Sequence, residues 1–194
     1  EILEFRKISK NDIYDDTYND GVSWSRPYEY PIAIDKIKKY YKNGDKIHNT
    51  SWGFAGIHIT FKENLDNLFQ EVYHSDILKS SLKNTFVYDI TKTPEKDEID
   101  KYDIVLNIST LEEVNFNHLK IFDNLLLQLK PGGILIATFD LRRSSYCPNF
   151  LSATKKKVLQ LKKFERKFER KIQPVEAPLS GKNSKVKNIK YKNL

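Results

Sequence analysis

Residues 102–139 read YDIVLNISTLEEVNFNHLKIFDNLLLQLKPGGILIATF, and this stretch decides the fold. Tyr102–Ile108 is a short run in which apolar residues crowd around one Asp and one Asn, the signature of a buried strand. His118–Leu129 spaces Leu119, Phe122, Leu125, Leu126 and Leu129 along one face of a helix. Lys130-Pro-Gly-Gly predicts a turn. Ile134–Phe139 is a second apolar run of strand length. Two strands without polar alternation, joined through a helix, form the repeating unit of a parallel sheet covered on both faces.

The same rhythm extends upstream. Lys46–Trp52, Val72–Ile77 and Thr85–Ile90 read as strands. Ile32, Ile34, Ile37, Tyr40 and Tyr41 mark a helix from Pro31 that stops at Asn43-Gly44. Ile57, Phe61, Leu65 and Leu68 mark another over Gly56–Phe69. The predicted class is therefore α/β: an open, mostly parallel sheet with helices on both faces. Residues 1–154 would form the core, with an N-terminal lid segment ahead of the first helix; residues 1–28 are polar and aromatic, with no clear period. Residues 155–194 would add a basic amphipathic helix and a polar tail to the same domain. In that helix, Lys155–Ile172, the apolar stripe is Val158, Leu161, Phe164, Phe168 and Ile172. Residues 173–194 read as irregular, with Pro174, Pro178 and Gly181 as punctuation, so no strand is expected after Asp140. A sheet ending there would expose an edge, and a homo-oligomer would be one way to cover it.

The chain has 194 residues, enough for one domain with its own core. Residues 155–194 carry 14 Lys and Arg against three Glu, a balance of +11 within a total of +7 that leaves the preceding residues at −4. A basic tail suits nucleic acid or an anionic surface, but it equally suits a solvated helix, and it lacks the aromatic interleaving of a strand-binding surface. No apolar run approaches the roughly 20 residues of a membrane span. EILEFRKISK at the start lacks the pattern of a secretory signal, and the absence of Met points to a start that is missing or trimmed. Cys147 is the single cysteine, which excludes an internal disulfide and a Cys-rich metal site. A reducing cytoplasm is the expected compartment. The four histidines show no metal-ligand spacing, so no metal is expected.

Ligands of open α/β sheets bind beyond the carboxyl ends of the strands. After the first predicted strand comes Asn49-Thr-Ser-Trp-Gly-Phe-Ala-Gly56, a run of small residues where backbone amides can approach a ligand. Asp76 follows the second strand, placed to accept hydrogen bonds from two ribose hydroxyls. Asp89 follows the third, Ser109-Thr-Leu-Glu-Glu-Val114 the fourth and Asp140 the fifth. His48 and His74 fall inside strands and read as structural, while His58 stands where the first core helix faces the site.

From Lys46 to Asp140 the chain resembles a class I S-adenosylmethionine-dependent methyltransferase, whose fold is Rossmann-like. YDIVLNISTLEEV resembles the family's fourth strand and its acidic motif, and LKPGGILIATF the turn into its fifth strand. The family's first loop usually reads acidic-x-Gly-x-Gly-x-Gly. Here Asn49 replaces the acid, Ser51 the first glycine and Ala55 the third, with Gly53 kept. The resemblance implies S-adenosylmethionine as cofactor. Asp76 would hold the ribose hydroxyls, and Asp89 the adenine amino group between Ile77 and Ile90. Ser51, Gly53 and Ala55 would line the methionine part, with Ser109 near the sulfonium. Arg26, in the Trp24–Tyr30 segment, would pair with the carboxylate.

An oxygen acceptor needs a group to take its proton. Glu113, His118 and Asp140 are the candidates. The expected activity is methylation of a small molecule, with O-methylation of a sugar or glycan precursor as the favoured case. One alternative is a non-catalytic member of the fold acting as a scaffold or partner subunit. Another is a nucleic-acid methyltransferase docking through the basic C-terminal region. An amino-methylating Asn/Asp-Pro-Pro-Tyr motif is absent after the fourth strand, where the chain reads Asn107-Ile-Ser-Thr.

Overall fold

The computed structural model describes residues 5–8, 11–18, 25–52, 58–111, 113–138 and 187–192. In chain order the elements are β1 (Phe5–Lys7), α1 (Arg26–Tyr40), β2 (Lys46–Thr50), α2 (Ile59–Leu68), β3 (Glu71–Asp76) and β4 (Thr85–Val87). A 3-10 turn at Lys96–Glu98, β5 (Tyr102–Ile108), α3 (His118–Leu127), β6 (Leu129–Thr138) and β7 (Lys187–Lys192) follow. They build one seven-stranded sheet in the order β1-β7-β6-β5-β2-β3-β4. The five strands from β2 to β6 are mutually parallel. The chain runs outward from β2 to β4, then returns to the other side of β2 as β5. The strand order therefore reverses between β2 and β5.

Alternation along the strands feeds two cores. Ile47, Ile104, Leu106, Ile108, Ile134 and Ile136 pack with Ile34 and Ile37 of α1 and Phe61 and Leu65 of α2. On the other face, Val105, Leu135 and Ala137 pack with Ile121, Phe122 and Leu125 of α3. Helices thus cover both faces, the arrangement the sequence predicts.

Three details depart from the sequence reading. First, α1 begins at Arg26, not Pro31. Pro27 occupies the helix start, where its missing N–H costs nothing, and Pro31 lies inside the helix. Pro31 cannot donate to the Pro27 carbonyl, and that carbonyl instead accepts from the Asp15 backbone N–H at 2.8 Å. Second, Lys130-Pro-Gly-Gly is an irregularity within β6: Tyr102 opposes Leu129, while Ile104 opposes Ile134. Gly132 has φ +86°, and a Cβ on Gly133 would stand 2.9 Å from the Lys130 carbonyl oxygen and 3.0 Å from that of Asp103. Third, the tail is not irregular throughout. β7 pairs antiparallel with β6 from Ile134↔Lys192 to Ala137↔Ile189, and β1 pairs antiparallel with β7. The chain itself covers the β6 edge, which removes the reason for expecting a second copy there. The proposed helix over 155–172 lies outside the described residues.

His48, on the α3 side of β2, is fully buried. Its Nδ1–H donates to Gln128 Oε1 at 2.6 Å, and its Nε2 accepts from Ser75 Oγ at 2.8 Å. Burial pushes its pKa down to about 3. His74 in β3 is likewise buried, with a pKa lowered to about 4, first by burial. Both imidazoles are neutral when folded and charge below about 6.5 when unfolded. Unfolding therefore takes up protons below that pH, and stability falls as pH drops from about 6.5 toward 4. We expect a loss of about 1.4 kcal/mol per pH unit per histidine in that window, read as a falling urea midpoint, with the slope reduced in His48→Asn. Gly133→Ala should lower stability by about 1–3 kcal/mol at neutral pH, read from the same midpoint, because its two nearest neighbours are backbone oxygens.

Candidate functional site

A cavity of about 730 Å³ opens at the carboxyl ends of β2, β3 and β5, where the strand order reverses. The size lies within the usual range for small-molecule and cofactor sites. Its wall includes Arg26, Asn49, Ser51, Asp76, Ile77, Asp89, Ile90, Ser109 and Glu113. The sequence picks these out from five separate stretches, and the fold brings them to one cavity. Gly53, Ala55 and Asp140 lie outside the described residues. His118 is not in the wall. It is buried in the first turn of α3, hydrogen-bonded to the backbone of Leu111 and Val114, and burial lowers its pKa. Its place fastens the 111–117 loop to a helix that Asn117 caps through Leu119 N at 3.1 Å and Lys120 N at 3.3 Å.

The two acids are held by their own turns. Asp76 Oδ1 accepts from Leu78 N at 3.0 Å. Asp89 Oδ1 accepts from Thr91 N at 2.9 Å and from Thr91 Oγ1 at 2.7 Å. Such local bonds fix the direction of a short carboxylate. Ile77 is 66% exposed and Ile90 3%, so the apolar surfaces beside the acids differ: one is a rim, the other a floor.

At the start of the first loop, Ser51 takes a backbone shape that favours glycine. Ser51 has φ +56°, the left-handed region, directly after β2. Ser109, directly after β5, has φ +47°. Two strained residues at adjacent strand ends on one cavity wall are what a site that turns backbone toward a ligand requires.

Sequence reasoning missed Glu29. This carboxylate is fully buried in α1 and pairs with Arg26 Nη1. Glu29 Oε2 also accepts from Ser25 Oγ at 3.0 Å, and Oε1 from Ser109 Oγ at 3.0 Å. Arg26 thus stands at the wall with its charge already engaged, and α1 is tied to the end of β5. The i, i+3 spacing of Arg26 and Glu29 was the available signal, hidden because the helix start was misplaced. Tyr30, stacked on Phe61 with centroids 3.8 Å apart, was also missed; its hydroxyl bonds His58 Nδ1 at 2.9 Å, and all three line the cavity. Among the described residues no three His, Cys, Asp or Glu side chains converge in a way that would hold a metal. No helix among them is long and apolar enough to cross a membrane.

No protein-family model and no curated protein matches the chain. Solved structures do match it. The selenomethionine-substituted CurJ carbon methyltransferase aligns with a TM-score of 0.60 at 15% identity, covering 93% of this chain and 57% of that one. A SAM-dependent methyltransferase from Aquifex aeolicus aligns with a TM-score of 0.55 at 16% identity, covering 89% and 94%. The trans-methyltransferase CalH, in complex with SAH, aligns with a TM-score of 0.50 at 15% identity, covering 87% and 55%. The chain spans little more than half the length of the first and third of these. Its fold is that of the class I S-adenosylmethionine-dependent methyltransferases.

Glu29→Ala should destabilise the protein by about 3 kcal/mol or more, because it strands a buried guanidinium and two hydroxyls. Ser51→Gly should leave stability unchanged or raise it by up to about 1 kcal/mol by relieving the positive φ. Ser109→Gly should gain less, since it also loses the bond to Glu29. Denaturant midpoints of the three variants check the ranking.

Proposed function

We propose that the chain binds S-adenosylmethionine in this cavity and methylates a small molecule. The observation that carries the reading is the placement of Asp76 and Asp89 beside Ile77 and Ile90, at the ends of successive strands on one side of a topological switch point. Two short carboxylates, each held by a local turn, next to apolar faces suit a nucleoside: hydroxyls and an amino group to hydrogen-bond, a flat ring to cover. The donor set therefore fits the cofactor.

In this reading Asp76 binds the ribose hydroxyls, and Asp89 the adenine amino group between Ile77 and Ile90. Ser51, Gly53, Ala55 and Asn49 line the methionine part, with Ser109 close to the sulfonium. Arg26 would meet the carboxylate while Glu29 holds it in place. The chemistry the cofactor supplies is an electrophilic methyl group on sulfur. The protein's share is chiefly positioning, which can account for much of the acceleration of such a transfer. Of the candidate proton acceptors, Glu113 lies on the cavity wall, and we assign it to the acceptor's hydroxyl. Asp140 keeps the same candidacy, and His118 loses it to its buried structural position. A sugar hydroxyl is the first acceptor class to screen.

Calorimetric titration with S-adenosylmethionine and S-adenosylhomocysteine tests the cofactor. We expect micromolar binding, weakened at least tenfold in Asp76→Ala, where two hydroxyl contacts are lost. Glu113→Gln should leave that affinity unchanged and lower transfer to a hydroxyl acceptor about 100-fold. Folded protein that binds neither ligand would leave a non-catalytic member of the fold as the better reading.

A further inference from the structure

A line of four side chains runs from α2 to the cavity wall. Lys62 Nζ meets Asp66 Oδ2 at 2.6 Å. Asp66 Oδ1 lies 3.0 Å from His74 Nε2, and His74 Nδ1 lies 3.2 Å from Asn49 Nδ2. His74 and Asn49 are buried, and Asn49 belongs to the cavity wall. Trp52, another wall residue, stands edge-on to the His74 ring and lies under Lys62 Nζ.

The protons on this line can be assigned from its chemistry. A carboxylate only accepts, so His74 Nε2 carries a hydrogen and donates it to Asp66. Lys62 already balances the Asp66 charge, so the carboxylate does not draw a second proton onto the ring. The groups facing His74 are Asp66 and Lys62 from α2, and Asn49 and Trp52 at the end of β2; His48, neutral, lies on the other face of the sheet. The ring's lowered pKa agrees with a neutral imidazole. A neutral ring protonated at Nε2 has a bare Nδ1, which accepts only. Asn49 must therefore offer its NH₂ group to His74. That leaves Oδ1 as the end of the amide not taken by His74.

We infer that Asp66 and His74 are positioning residues which lock the Asn49 amide with its carbonyl oxygen as the group it offers at the cavity wall, making this position a neutral acceptor for a cationic ligand group such as an ammonium. The link to an ammonium rests on the cofactor reading above; the locked amide does not. An aspartate at 49 would set lone pairs against the bare Nδ1, and the ring would answer by taking a proton. Asparagine and a neutral histidine are thus matched, and the charge at position 49 is governed by a residue outside the cavity.

Long-range ¹H–¹⁵N correlation spectra of the imidazoles in the full chain, from about pH 5 to 8, test the lock without any ligand. The expected result is a neutral His74 protonated at Nε2 across the range, and a protonated His74 at pH 7 in Asn49→Asp. A native His74 protonated at Nδ1, or charged at pH 7, would overturn the proposal, and so would an Asn49→Asp spectrum unchanged at His74. The second measurement is S-adenosylhomocysteine affinity. His74→Phe should weaken it about tenfold, the loss from one orienting hydrogen bond, with Asp66→Asn a milder variant that keeps the packing. Native protein with the expected tautomer but no affinity would refute the cofactor reading and uphold the lock. Native affinity left unchanged in both variants would refute the lock's bearing on the ligand.

Discussion

The parallel seam between β2 and β5 is the constraint on which the rest of the molecule depends. It runs from Ile47↔Ile104 to Thr50↔Asn107 at the centre of the sheet. Side chains clamp both ends. At the entry, Asp103 Oδ2 accepts from Lys46 N at 2.9 Å and from Lys130 Nζ at 2.7 Å, so one carboxylate aligns β2, β5 and the irregular start of β6. At the exit, Thr50 Oγ1 donates to the Leu106 carbonyl at 2.7 Å and accepts from Asn107 Nδ2 at 2.8 Å. A slip of one residue would turn Ile47 and Ile104 out of one core and bring polar neighbours into it. It would also separate Ser51 from Ser109, the two strained residues that shape the cavity. Register here is therefore a condition for the core and the cavity alike.

The elements legible in the sequence were those whose pattern is local. The five parallel strands announced themselves as apolar runs between helical periods, and the acids Asp76 and Asp89 followed from looking just past each run. β7 was illegible because KNIKYK holds only Ile189 and Tyr191 among lysines and asparagine, residues with little strand preference of their own. Its partner is the open edge of β6, more than forty residues earlier, and no window of sequence displays that edge. The start of α1 was obscured because a proline inside a helix reads as its beginning.

The site shows the same division. Residues that reach the cavity from strand ends were found. Of the residues that reach it from a helix side, Phe61 was read as core and Tyr30 as part of the segment before the first helix; both also belong to the core. Glu29 sits between two tyrosines and acquires its meaning only from Ser109, 80 residues away. His118 shows the converse error: a histidine near a strand end looks chemical until the fold buries it against the backbone of Leu111 and Val114, away from the cavity wall. Sequence position near a strand end is a sound guide to a carboxylate on a tight turn, and a poor one for a side chain long enough to turn inward.

The proline inside α1 has a consequence for motion. By vacating one rung of the helix it leaves the Pro27 carbonyl to the Asp15 N–H, and Tyr14 packs edge-on against Tyr28 beside that bond. If residues 11–18 lift away alone, a buried carbonyl is stripped of its partner, at a cost of about 1–3 kcal/mol. Moving the helix with the segment would cost far more, because Ala33, Ile34 and Ile37 are core residues, so the segment and the helix hold each other in place. That helix also carries Arg26, Glu29 and Tyr30. Docking of residues 11–18 therefore stiffens the part of the cavity wall that this helix supplies.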